Sequence, residues 1–301
     1  MQKRIVELIE ESGPRTGAEL LEALDGDRFA LWKTCYTTRQ LRTERAGRRY
    51  LRLDRRVDGY ARLSPSILRE FLTYTVVGLA DQPAALELRK GELQAHIADV
   101  SRKKLGLAGS IVDDVAIAVG GEGDEEKRFC VILAGDIVYE MAHDVNRPER
   151  SSGEMVRGSD LDLVVIVDDE AADQLASELD EAIYEKKHRY LKDPIFREEI
   201  DYTVKRFSRL RRQAEFDTFK RMVACKILDE GVLLYGSEQL FAQGKNLLRE
   251  RGVIDRLRAM ERSAAAGREA QEQLLLTTDV QALRSEDLLL FYTEDESEEF
   301  E

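Results

Sequence analysis

The chain is poor in the residues that staple a fold or ligate soft metals. Its three cysteines, Cys35, Cys130 and Cys225, lie far apart in 301 residues, with no C-x-x-C spacing. An odd, dispersed set excludes a disulfide framework and a zinc ribbon, and reads as buried thiols in a reducing compartment. Histidine is as scarce: His96, His143 and His188 are scattered, so a His-based metal centre or a His-dependent triad has no support. No apolar run approaches the roughly twenty residues that span a bilayer. The opening MQKRIVELIEES also lacks the apolar stretch of a signal peptide. A soluble, cytoplasmic protein without membrane contact is expected, long enough for more than one domain.

Acid is in excess, and unevenly placed. A formal net charge of −13 excludes a chain that coats nucleic acid along its whole length. Between Arg28 and Arg62, however, eleven Lys or Arg stand against three acids, whereas the final EDESEEFE is almost wholly acidic. The expectation is a basic module near the N-terminus and a disordered acidic tail over 293–301.

Periodicity divides the rest. MQKRIVELIEES, TGAELLEAL with a Thr16 cap, and the basic FALWKTCYTTRQLRTERAG repeat apolar residues at helical spacing. RRYLRLDRRVDGYARLS alternates, turns near Asp58-Gly59 and returns, as a hairpin does. Helix, helix, basic helix and two-stranded wing resemble a winged helix-turn-helix over residues 1–64. The resemblance implies nucleic-acid contact, with Lys33, Thr37, Thr38, Arg39 and Arg42 near bases and Arg48, Arg49, Arg55 and Arg56 near phosphates. Docking of a protein partner is the other use of such a module.

Ser64-Pro65 marks a helix start, and residues 65–110 read as a helical connector interrupted near Pro83 and Gly91. From Ile111 to Arg206 the pattern changes to a compact α/β unit. DVAIAVG, RFCVILAG, SDLDLVVIV and EEIDYTVKRF read as strands, while IVYEMAHDV and EAADQLASELDEAIYEKK read as helices. Residues 207–292 return to helical spacing. The fold class expected is α+β.

The chemical signal lies in VRGSDLDLVVIVDD. In a strand, Asp160 and Asp162 share one face while Leu161 and Leu163 take the other. Two adjacent carboxylates repel, and both stay ionised only beside a cation or in water. In EEIDYTVKR, Asp201, Thr203 and Lys205 share a face in the same way. An aspartate inside a strand is unfavourable unless that face is polar or liganded.

Over residues 111–240 a strand ending in a glycine turn, then S-D-L-D-L, then a later strand bearing one more aspartate, resembles the nucleotidyltransferase superfamily related to DNA polymerase β. The resemblance implies that Asp160, Asp162 and Asp201 are catalytic carboxylates holding Mg²⁺ or Mn²⁺. It also implies an NTP substrate whose NMP is moved to an acceptor hydroxyl. Gly135, Asp136, Ser159 and Lys205 become the nucleotide contacts. Where the family has Gly-Ser, this chain has Gly135-Asp136. Gly158-Ser159 is the alternative phosphate turn, and a DNA-binding regulator or antitoxin-like protein with an inactive core is the alternative function.

Overall fold

The computed structural model describes residues 1–120, 128–149 and 152–292; the acidic tail expected over 293–301 lies outside the described residues. The fold is mixed α+β with several small sheets. Two compact units emerge: Met1–Ile97 together with the described residues from Ala259 on, and the described residues within Ala98–Arg258.

The first unit opens with α1 (Gln2–Ser12), β1 (Arg15–Thr16), α2 (Gly17–Leu24) and α3 (Arg28–Thr37). Thr16 caps α2 as expected. Its hydroxyl accepts from the Glu19 amide at 3.2 Å, and the Glu19 carboxylate accepts from the Thr16 amide at 2.7 Å. The basic helix is shorter than its sequence suggests. It ends at Thr37, and Leu41–Arg45 form β2.

The alternating stretch forms β3 (Tyr50–Leu53) and β4 (Ala61–Ser64), an antiparallel pair as expected. α4 (Ile67–Tyr74) starts from a Ser66 cap, not from Ser64-Pro65. The following Thr75–Leu79, expected to be helical, is β5, the central strand of the order β1-β5-β2. Consecutive β-branched residues explain the change: Val76 and Val77 are fully buried between two antiparallel neighbours.

α5 (Pro83–Ala118) then runs unbroken through Gly91 and absorbs DVAIA, which was expected to be a strand. The chain re-enters this unit through α10 (Val253–Thr277), whose Leu275 joins Phe29, Trp32 and Phe291 in the core.

The second unit is built on a four-stranded sheet. It comprises β6 (Phe129–Ala134), β7 (Asn146–Pro148), β8 (Met155–Arg157), β9 (Leu161–Val167), α6 (Asp173–Lys192) and β10 (Ile200–Arg206). It continues through α7 (Phe207–Gln213), α8 (Phe219–Glu230), β11 (Val232–Gly236) and α9 (Glu238–Glu250). The sheet order is β10-β9-β6-β11, with β10 parallel to β9 and the other pairs antiparallel. Leu161, Leu163, Val165 and Val167 share a face and join Val131, Leu133, Ile111, Val115, Leu175 and Leu179 in one core. That burial fixes the register, because a one-residue slip would drive Asp162 into the core.

IVYEMAHDV is not a helix. Gly135–Ile137 make one 3₁₀ turn, Glu140 takes a positive φ of 55°, and the chain continues irregularly to β7. Asn146–Pro148 and Met155–Arg157 then pair as the β7–β8 hairpin.

Candidate metal centre

The parallel pairing of β9 and β10 sets Asp162 directly opposite Asp201, and the antiparallel pairing with β6 sets Asp162 opposite Ala134. Asp160 lies two residues before Asp162, on the same face. These three half-buried carboxylates each offer an oxygen within 4.8 Å of the others, a spacing that suits one hard divalent cation. The same three residues were singled out in the sequence.

A fourth acid completes a square. Glu199 stands two residues before Asp201, as Asp160 does before Asp162, and its carbonyl accepts the Leu161 amide at 2.9 Å. Its side chain is 5% exposed. Burial, reinforced by Asp160 and Asp201 and opposed by Arg147, pushes the Glu199 carboxyl up to about 7. The sequence signal was present: Glu199-Ile200-Asp201 repeats the acid-x-acid spacing of Asp160-Leu161-Asp162.

Two cations face the square, and neither was anticipated. Lys187, from α6, donates to Asp201 at 2.9 Å. Arg147, from β7, reaches Glu199 at 2.6 Å and comes within 3.7 Å of Asp160, while its Nε donates to the Gly158 carbonyl at 2.8 Å. Burial would lower its pKa, but Asp160, Glu199 and Asp201 raise it overall.

Gly135 belongs to the support of this site. Its φ of 76° is left-handed, and a Cβ there would lie 2.1 Å from the Asp162 carboxylate, so only glycine fits. Its amide donates to Glu230 at 3.2 Å, and Tyr139 donates to the same carboxylate at 2.6 Å. The Lys226 ammonium lies 2.8 Å from Glu230.

Ser159 is equally committed. Its hydroxyl donates to Asp136 at 2.9 Å and accepts from the His143 amide at 3.2 Å. The amides of Gly158 and Ser159 donate to the carbonyls of Val145 and His143. The amides of Gly135, Gly158 and Ser159 are thus all taken by the chain itself. The expected phosphate turn also lacks the following helix that would lend it a dipole. Gly135, Asp136 and Ser159 act here as internal supports of the aspartates. Lys205 is buried and donates to Gln213 at 2.9 Å; four residues along the strand put it about 13 Å from Asp201.

The nucleic-acid residues expected in the first unit also divide. Lys33 donates to the carbonyls of Leu275 (3.0 Å) and Thr278. Arg49 is clamped between Glu70 at 2.5 Å and Glu272 at 2.6 Å, ion-paired within its own unit. Arg42 lies on β2 beside Glu44 at 2.7 Å, off the helix that was to carry it. Arg56 pairs with Asp54 at 3.0 Å. Thr37 and Arg39 are exposed, Thr38 is buried, and all three line a shallow polar depression with Gln2, Thr34 and Gln40. Arg48 and Arg55 lie in the segments flanking β3.

Compared with known proteins, the chain matches no family model, no curated protein and no solved structure.

Proposed function

We propose that the second unit is a metal-dependent nucleotidyltransferase core that moves an NMP from an NTP to an acceptor hydroxyl. The observation that carries this reading is the register of Asp162 opposite Asp201, with Asp160 beside them and Gly135 closing against Asp162 at the end of an antiparallel strand. Asp160, Asp162 and Asp201 would hold Mg²⁺ or Mn²⁺, which when bound neutralises phosphate charge and lowers the pKa of an attacking hydroxyl. Asp201 sits at the edge of the cluster, where it holds the ion or takes the hydroxyl proton. Lys187 orients Asp201, and Glu230 holds the glycine turn against Asp162.

A second reading has its own observation. The Gly135 amide is occupied by Glu230, and Asp136 is bonded to Ser159. Both favour a regulator or antitoxin-like protein whose core binds a ligand without turning it over. Pyrophosphate release from each NTP, with Mg²⁺ or Mn²⁺ and candidate acceptors, separates the two. Release that is lost in Asp162→Asn supports transfer; metal-dependent NTP binding with no release supports the second reading.

For the first unit, α1–α3 followed by the sheet β1-β5-β2 supports a winged helix-turn-helix reading, with β3, β4 and α4 inserted between β2 and β5. Arg39, Thr37, Arg48 and Arg55 are then the residues to test for nucleic-acid contact. Duplex DNA binding by the full chain should weaken steeply with salt and fall in Arg39→Ala. Binding that ignores salt, or none at low salt, would point to a protein partner.

A further inference from the structure

We infer that Arg147 occupies the place of a second cation, so that the carboxylate square accepts one divalent ion and not two. The inference rests on the metal reading above and refines it.

The two rows of the square differ. Asp162 and Asp201 face each other in register, and with Asp160 they make a three-oxygen cradle. Asp160 and Glu199 form the other row, and the Arg147 guanidinium stands against that row, at 3.7 Å and 2.6 Å respectively. A divalent ion bound there would need the same two carboxylates and would meet a fixed positive charge within contact distance.

Arg147 is held against displacement. Its Nε is bonded to the Gly158 carbonyl at 2.8 Å. Gly158 is itself fixed, because its left-handed φ of 67° and a virtual Cβ only 1.7 Å from the His143 carbonyl admit no side chain. A planar fork anchored at one nitrogen and ion-paired through another resists exchange better than an ammonium on a free stem. Lys187 contrasts with it: a single contact to Asp201 ties it to the three-oxygen cradle, and an entering ion displaces it.

The test is the stoichiometry of Mn²⁺ binding to the full chain, read by calorimetry and by the electron spin resonance of free Mn²⁺. Wild type should bind one ion. Arg147→Gln, which keeps amide hydrogen bonds but removes the charge, should bind two. Arg147→Lys should stay at one, and Arg147→Gln combined with Glu199→Gln should return to one. Circular dichroism and the melting transition establish that each variant is folded. Two ions in wild type would overturn the inference and leave the metal reading intact, as would a folded Arg147→Gln that still binds one. Wild type and Arg147→Gln both binding none would overturn the metal reading together with this inference. The wild-type count stands whether or not the variants fold.

Discussion

Each unit contains a cluster of charged side chains, and the two clusters are balanced differently. In the first, the buried Glu70 meets Arg49 at 2.5 Å and Arg268 at 3.4 Å, while Glu272 meets the same two arginines, each at 2.6 Å. Arg45, partly exposed, also comes within 3.8 Å of Glu70, so the two acids are fully matched by arginine, and Arg268 donates to the Pro65 carbonyl at 2.8 Å. In the second, Asp160 and Glu199 meet Arg147, and Asp201, in register with Asp162, meets Lys187. A network whose acids are fully matched fastens α10 to α4 and needs no added cation. Carboxylates gathered in this way keep capacity for a cation, because groups this close are costly to ionise together.

That contrast is open to direct attack. Glu70→Ala should cause the largest loss, about 3–5 kcal/mol, since it removes the more deeply buried of the two acids that Arg49 and Arg268 share; urea unfolding of the full chain measures it. A loss below about 1 kcal/mol would mean that the first cluster is not a closed network. Gly135→Ala should cost about 1–2 kcal/mol for its left-handed backbone alone, and should also weaken Mn²⁺ binding by pushing on Asp162. Unchanged metal affinity in that variant would detach the turn from the site. Asp162→Asn should abolish Mn²⁺ binding while stability stays level or rises, because like-charge repulsion is relieved. A thermal destabilisation with metal binding retained would make the second cluster structural like the first.

The smallest effect concerns Asp54, on the hairpin loop. Burial raises its carboxyl, but Arg56 and Arg62 outweigh burial and hold it down to about 2 from 3.8. A depressed carboxylate stabilises the folded state above its unfolded pKa, and that contribution is lost as pH falls from about 4 through about 2. The stability difference between wild type and Asp54→Asn should therefore shrink over that window. A difference independent of pH there would show that Asp54 acts through its hydrogen bonds alone.

The aspartate triad was legible because two short patterns, D-L-D and I-D-Y, sit in strands whose alternation is enforced by Leu161, Leu163 and Ile200 on the buried side. Glu199 was legible by the same spacing and was passed over because it precedes the apolar run. Arg147 and Lys187 carry no local signal; only the hairpin pairing and the position of α6 bring them to the site. The strands missed or misplaced in the first unit, β2 and β5, depend on each other across more than thirty residues. Such pairing is a tertiary effect that overrides local propensity. The helix expected after Gly135 failed for a comparable reason: Tyr139 is drawn to Glu230, ninety-one residues away.

The central position of β5, together with the return of α10, bears on how the chain is made. Thr75–Leu79 must be present before β1 and β2 have a common partner, so a fragment ending at residue 64 lacks the middle of its own sheet. Arg268, Glu272, Leu275 and Phe291, which complete the same unit, are synthesised only after the whole of the other one. On a ribosome, the N-terminal segment emerges first and is finished last. The second unit, continuous from Ala98 to Arg258, can be complete while Glu70 and Arg49 still await Arg268 and Glu272. A released fragment ending at Arg258 should therefore show a protease-resistant second unit and a cleavable first one.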